Sequence, residues 1–433
     1  MIKISNLILI FIFIFLSNCS FNKNSKIWNK KEIQIDNKKN IKKITNEKKI
    51  TISELNPNLE LKFSTINYDN ITNEYNNFGF QSFLGKFEKK KVFKFSKHND
   101  NNFIKSKPIL IDNGLIYYNN KGSIIRYDNE KKIVWKKNYY TKSEIKSNPK
   151  LSFEIKDNKL IVVDNISKLF LIDVINGNLI WKKNSEYPFN SEIKIHKNNF
   201  YVVDYFNTLR CFKIKDGSEC WNLKTEESFT ISDTKNSLII VNDKVMFNNS
   251  IGDITSVDIL SGTIEWQIAT QSSKVKDIAY SFKMSQLVSD GKDVFFSNNK
   301  GQFYSIDIKT GTVNWLNKIS SSVTPIIQNN LIFTVSNEGF LYVIQKKQGN
   351  IIRINNIYKN HKIKDIQKIL PVGLSIGKDF FYITNQNGEL MKINLNVVKI
   401  EKVENISKGA ISKPIIYNER LYIVKNGSIL EYN

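Results

Sequence analysis

The sequence predicts an all-β chain folded as an eight-bladed β-propeller, its ring closed by an N-terminal strand. Three observations predict it. A short pattern recurs along most of the 433 residues, with the period of about 40–45 residues expected of propeller blades. Each copy holds short strands rich in aromatic and β-branched residues, separated by turn clusters. The final copy stops one strand short, and a strand of the missing kind stands ahead of the first copy.

Each copy carries a marker in a stretch of the form x-x-G-h-h-x-h. Gly122, Gly252, Gly301, Gly339, Gly388 and Gly427 hold it, and Ser167 and Asn207 replace it in two copies. Successive markers stand 38 to 49 residues apart. Six residues after a marker comes a polar residue, an aspartate at Asp128, Asp173, Asp258 and Asp307. Ten residues after it comes Gly177, Gly217, Gly262, Gly311 or Gly349. Fourteen residues after it stand Trp181, Trp221, Trp266 and Trp315, with Trp135 at thirteen in the first copy. The aspartate can accept backbone N–H bonds and close a turn. The glycine supplies the positive φ at its end. The tryptophan offers a broad apolar face suited to lie between neighbouring sheets.

"KDVFFSNN", "GQFYSIDI" and "TVNWLNK" read as three strands of one unit, and segments of the "SSVTPIIQNN" type give the fourth. Proline fits the start or edge of such a strand. The last copy, "SKPIIYNERLYIVKNGSILEYN", ends before its tryptophan strand. "KKKVFKFSK", residues 89–97, fits the gap, with Phe93 in the tryptophan's place. The propeller is therefore expected over 89–433, leaving no long free edge.

Residues 1–18 have the build of an export signal. One early lysine, Lys3, precedes an apolar run over 7–16, shorter than the roughly 20 residues a membrane-spanning helix needs. The run ends in "LSNC", which resembles the bacterial lipobox, so Cys19 is the expected lipidation site. Several acyl chains on one thiol give firm anchoring where a single chain binds marginally. Ser20, in place of an aspartate, favours the outer membrane. Residues 19–88 are rich in lysine and asparagine and read as a flexible tether, with a short ordered patch near "NNFGFQSFLG".

The formal net charge is +23, which raises a nucleic-acid reading. The composition argues against it. The arginines are Arg126, Arg210, Arg353 and Arg420, and the remaining positive charge is lysine. Arginine is the residue suited to bidentate phosphate and guanine contacts. A solvated lysine surface fits better, with an acidic partner as the other reading. Cys211 and Cys220 flank the hairpin "CFKIKDGSEC", and a bridge requires a register that sets them opposite. That pairing stays open.

Catalytic signals are sparse. His98, His196 and His361 lie far apart in sequence, no two cysteines are adjacent, and no calcium loop of the usual spacing occurs. "GLSIG", Gly373 to Gly377, fits the G-x-S-x-G pattern, which needs a strand, a sharp turn and a helix. Here it falls between blade strands, so Ser375 is read as a turn residue.

The repeat matches the pyrroloquinoline-quinone type over about four-fifths of the chain. In quinone dehydrogenases with this repeat, the cofactor sits at the ring centre. A calcium ion, an adjacent cysteine pair and a tryptophan hold it. Those residues do not stand out here, so no cofactor and no enzyme activity are expected. Lipobox, tether and cofactor-free propeller together resemble the BamB family of outer-membrane assembly lipoproteins. The resemblance implies a scaffold anchored by lipid at the periplasmic face of the outer membrane. It also implies binding to the periplasmic domains of the barrel-forming subunit BamA, and help in inserting unfolded outer-membrane proteins. Family docking loops fall on "SFTISDTKNS" and "KVKDIAYSFKMS". In the first, Phe229 and Ile231 match an apolar pair, and Ser232 stands where an arginine would be. In the second, Asp277 alone matches an acidic pair. Two other readings remain: a propeller enzyme or ligand-binding protein with a site in its channel, and a scaffold of a different envelope complex.

Overall fold

The repeat becomes eight four-stranded antiparallel sheets. A computed structural model describes residues 52–61, 75–86, 89–97, 103–226, 234–270, 282–359 and 369–433. Blades 1 to 7 occupy 109–137, 151–184, 194–224, 238–268, 288–317, 326–356 and 371–405, each built from four consecutive strands. Blade 8 takes three strands from 415–432 and its fourth from Lys89–Lys94, which pairs antiparallel with Ser428–Tyr432. Phe93 lies opposite Ile429 in that register.

First strands of successive blades touch one another around the axis from blade 1 to blade 6. The fourth strands therefore form the rim. Strand alternation puts the blade-to-blade connections and the marker turns at one end of the ring, and the Asp–Gly hairpins at the other. All eight marker residues adopt positive φ, including Ser167 at 67° and Asn207 at 60°, so the two replacements keep the turn.

The core lies between blades. Second strands such as Lys159–Asp164 and Asp293–Asn298 are buried along nearly their whole length. Their continuous apolar runs follow, because a neighbouring blade covers each face. Ile161 and Leu171 of blade 2 share a cluster with Phe200, Val202 and Phe212 of blade 3. Phe93, Val424 and Ile429 of blade 8 share one with Tyr117 and Ile124 of blade 1.

The tryptophans seam the blades together. Indole Nε1 of Trp135, Trp181, Trp266 and Trp315 donates to the next blade's Val174, Ile214, Ile308 and Lys346 carbonyls at 2.8–3.0 Å. Each indole lies flat on the next blade's turn glycine. A Cβ on Gly349 would stand 2.6 Å from Trp315, and Gly349 has φ +74°. The glycine thus serves twice, as a left-handed turn residue and as the seat of the preceding tryptophan. Asp307 closes its hairpin as expected, accepting from the Lys309 and Thr310 amides at 2.9 Å each.

Ser375 needs correction. It lies inside the strand Pro371–Ile376 rather than in a turn, and its hydroxyl donates to the Pro414 carbonyl at 2.7 Å. Two glycines close to the pattern mimic turn chemistry, but Gly373 is there for close packing: a Cβ on it would stand 2.2 Å from Lys413.

Candidate functional site

Cys19, Phe229, Ile231, Ser232 and Asp277 lie outside the described residues. The flanks of the first docking loop do not. Asn207, the marker of blade 3, donates to the Glu226 carbonyl at 2.9 Å, and Thr225 Oγ1 donates to the Asn207 carbonyl at 2.9 Å. On the other flank, Asn190 Nδ2 donates to the Thr234 carbonyl at 3.2 Å, and the Asn236 amide to the Asn190 carbonyl at 2.8 Å. Both flanks are thus fixed to the connection end of blade 3.

Beside them stands an aromatic pair that sequence reasoning missed. Phe206 is 40% exposed and packs on Tyr187 with ring centroids 4.5 Å apart. Tyr187 lies over the Arg210 guanidinium at 5.7 Å. Arg210 is itself held by Asp204 at 2.9 Å, Glu219 at 3.0 Å and Glu186 at 3.4 Å. An exposed aromatic on a braced support is the kind of side chain that anchors protein interfaces.

The channel is the second feature. Residues 75–86, within the segment expected as a tether, run through it, and they include the expected ordered patch. Asn76 Nδ2 donates to the Leu238 and Leu287 carbonyls at 3.3 and 3.1 Å, and its Oδ1 accepts from Lys194 Nζ at 2.6 Å. Asn77 Oδ1 accepts from the Ile327 amide at 3.2 Å. The Phe80 amide donates to Gln328 Oε1 at 3.1 Å and the Gln81 amide to the Ile376 carbonyl at 2.9 Å. Four residues of this six-residue stretch therefore bond to blades 3 through 7. Phe78 faces two of the other three, with Lys107 Nζ ahead of blade 1 at 5.1 Å from its ring and Lys413 Nζ ahead of blade 8 at 5.7 Å. Phe80 pairs in parallel with the inner strand of blade 7. Phe83 then enters the core between blades 7 and 8, with its ring 5.1 Å from Tyr382.

Residues 54–61 bind the rim instead. Leu55 forms an antiparallel bridge with Ile354, the outer strand of blade 6, through bonds of 3.1 and 2.9 Å. Arg353 occupies the tryptophan position of this blade, fourteen residues after Gly339. Its side chain is fully buried. It donates to the carbonyls of Leu59 at 2.7 Å, Pro57 at 2.8 Å and Asn396 at 2.6 Å, and to Asn355 Oδ1 at 2.6 Å.

At the connection end the channel is charged. Lys413 Nζ donates to Gln286 Oε1 at 3.1 Å, and Gln286 Nε2 donates to Glu192 Oε1 at 3.1 Å. Lys235 Nζ donates to Ser152 Oγ at 2.8 Å. Burial pushes the Glu192 carboxyl up, but the ammoniums of Lys413, Lys194, Lys107 and Lys235 outweigh it and hold the group down at about 2. Burial pushes Lys194 and Lys235 down to about 8 despite the opposing pull of Glu192. The sequence carries one signal for this cluster. The tripeptide Ser-Lys-Pro stands at both 106–108 and 412–414, and it sets Lys107 and Lys413 at equivalent places in adjoining blades.

Other candidates are not gathered. Among the described residues no group of three or more His, Cys, Asp or Glu could hold a metal ion, and no helix is long and apolar enough to cross a membrane. His196 ends the inner strand of blade 3; His98 and His361 lie outside the described residues. Cys211 is a buried free thiol and Cys220 an exposed one. Cys211 pairs with Trp221, and Cys220 falls in the bulge beside it; the two thiols interact without a bridge.

Eight four-stranded blades with Asp–Gly hairpins and tryptophan seams define a propeller of pyrroloquinoline-quinone-type repeats. The chain belongs to the family described as outer membrane protein assembly factor BamB, whose model matches residues 109–355, more than half its length. A search of the curated proteins finds no match. Among solved structures, BamB from Moraxella catarrhalis is similar at 16% identity and TM-score 0.62, over 79% of this chain and 99% of that one. The computationally designed Ika8 protein is similar at 11% identity and TM-score 0.60, over 78% and 98%. The quinohemoprotein alcohol dehydrogenase ADHIIG from Pseudomonas putida HK5 is similar at 10% identity and TM-score 0.55, over 79% and 75%. At these identities the likeness is one of fold.

Proposed function

We propose that this chain is a non-catalytic scaffold lipoprotein of the outer-membrane β-barrel assembly machinery. It is anchored through Cys19 on the periplasmic face of the outer membrane. It docks on the periplasmic domains of a BamA-like subunit through the connection end of blades 3 to 5. The family match carries the reading. Exposed Phe206, packed on Tyr187, supports the docking end, because it adjoins Asn207, which holds the Thr225–Glu226 flank of the segment containing Phe229 and Ile231. Unfolded outer-membrane proteins are its further contacts, since strands without partners seek free backbone groups.

The same fold serves a quinohemoprotein alcohol dehydrogenase, so an enzyme is the second reading. The described residues do not fit a quinone with its calcium ion. Residues 76–81 bond across the ring to blades 3 through 7, and the charged groups beside the space they leave are mainly lysines, which oppose a cation.

The test is recovery of the lipidated chain from membranes in mild detergent, with photo-crosslinkers at positions 206 and 229. The expected result is a crosslink to the barrel-forming subunit from both positions. Recovery without any barrel-assembly subunit overturns the reading. A saturable visible spectrum on adding quinone and calcium, with dye reduction by an alcohol, would establish the enzyme instead.

A further inference from the structure

The channel holds a cavity of about 370 Å³, within the range of small-molecule sites. Phe78, Gly79 and Gln81 floor it. From there it follows the inner strands towards Ile111 and Tyr417, the last residues of the first strands of blades 1 and 8. Its wall is largely aliphatic, with Ile109, Ile155, Ile326, Leu374, Ile376 and Ile415 contributing. Water in such a space makes few hydrogen bonds, and apolar surface placed there leaves solvent at a gain.

Charge is gathered at the floor. Lys107 and Lys413 line the cavity, with Glu154 as the acidic side chain of the lining. The Lys107 ammonium touches the Phe78 ring and makes no hydrogen bond among the described residues. Lys413 spends one bond on Gln286 and keeps N–H donors to spare. Lys194 and Lys235 stand behind them, and the four ammoniums share Glu192. Four lysines against Glu192 and Glu154 leave an excess of positive charge where solvent is largely excluded, and there an anion is held more strongly than in water.

We propose that this cavity binds a small amphiphilic carboxylate. Its tail lies among the inner-strand isoleucines, and its carboxylate pairs with the Lys107 and Lys413 ammoniums. The lining comes from blades 1, 2, 6, 7 and 8 and the 78–81 segment, whereas the docking reading uses blades 3 to 5.

The experiment uses the full mature chain, made soluble by Cys19→Ser, and titration calorimetry with dodecanoate below its micelle concentration. Controls are dodecanol, dodecyltrimethylammonium and acetate. The expected result is saturable binding of one dodecanoate per chain. Dodecanol should bind at least tenfold more weakly, and neither acetate nor the cation should bind measurably. Lys107→Gln with Lys413→Gln should weaken dodecanoate at least tenfold and leave dodecanol unchanged. Ile415→Trp, which fills the cavity from its wall, should abolish both. Unaltered near-ultraviolet circular dichroism checks the fold of each variant. Absence of dodecanoate binding to the parent chain overturns the proposal. So does equal affinity for dodecanol, or binding that the lysine substitutions leave untouched.

Discussion

The seam between blades 5 and 6 and the seam between blades 6 and 7 are built at the same repeat position from different residues. At the first, Trp315 lies on Gly349 and gives its one N–H to the Lys346 carbonyl at 2.9 Å. At the second, Arg353 reaches the neighbouring turn at Asn396, and its other donors hold Pro57 and Leu59. A tryptophan has one donor and joins two blades. An arginine has five and joins two blades and a strap. Burial pushes the Arg353 pKa down from its ordinary value, and among the described residues no carboxylate pairs with it. Backbone carbonyls carry the compensation. Residues that obey the repeat build the ring, and those that depart from it attach what is particular to this chain.

The sharpest way to break the comparison is Arg353→Met. It removes the guanidinium donors of the Leu59 and Asn396 carbonyls and one of the two donors of the Pro57 carbonyl, which keeps Asn355 Nδ2 at 3.0 Å. Bonds from a charged donor are worth about 1.5–3 kcal/mol each, so a net loss of about 4 kcal/mol is expected in urea unfolding. The same variant should free 54–61, read as new protease cleavage there. Trp315→Ala should cost about 3 kcal/mol, near the lower end for a deleted aromatic because its indole is only half-buried. It should leave cleavage at 54–61 unchanged, and equal effects of the two variants on that segment would erase the distinction.

Gly349→Ala tests the seat of the seam. The new Cβ meets the Trp315 ring at 2.6 Å with φ at +74°, and a loss of about 2 kcal/mol follows from strain and displaced packing. Asp307→Ala should cost least, about 1 kcal/mol. The Thr310 backbone N–H, ahead of the Thr310 hydroxyl and the Lys309 N–H, holds the Asp307 carboxyl below its ordinary value. A lowered folded-state pKa stabilises above the unfolded value of about 3.9. The difference between parent and variant should therefore be complete at neutral pH and shrink as the pH falls below that value.

The ring was legible in the sequence because every blade repeats the same solution. Spacing alone located the strands, the hairpins and the tryptophan seams, and it placed Phe93 in the last blade. The channel segment was legible only as an ordered patch. Asn76 through Gln81 have no period of their own, and their partners are single backbone or side-chain groups on five blades that only the ring brings together. Lys107, Lys194, Lys235 and Lys413 are four lysines among 64 basic residues, so nothing but the two Ser-Lys-Pro tripeptides set them apart. Arg353 was within reach. Counting fourteen residues from Gly339 finds an arginine where the preceding copies have tryptophan. Exposure of Phe206 followed only from the fold.

Hydrogen exchange resolved to single amides tests most directly whether the N-terminal segment is an integral part of the ring. The account predicts that Leu55, Phe80 and Gln81, which donate to Ile354, Gln328 and Ile376, exchange as slowly as the blade strands. In Arg353→Met, Leu55 should lose that protection while Phe80 and Gln81 keep it. Free exchange at all three amides in the parent chain, with the blades protected, would contradict the account.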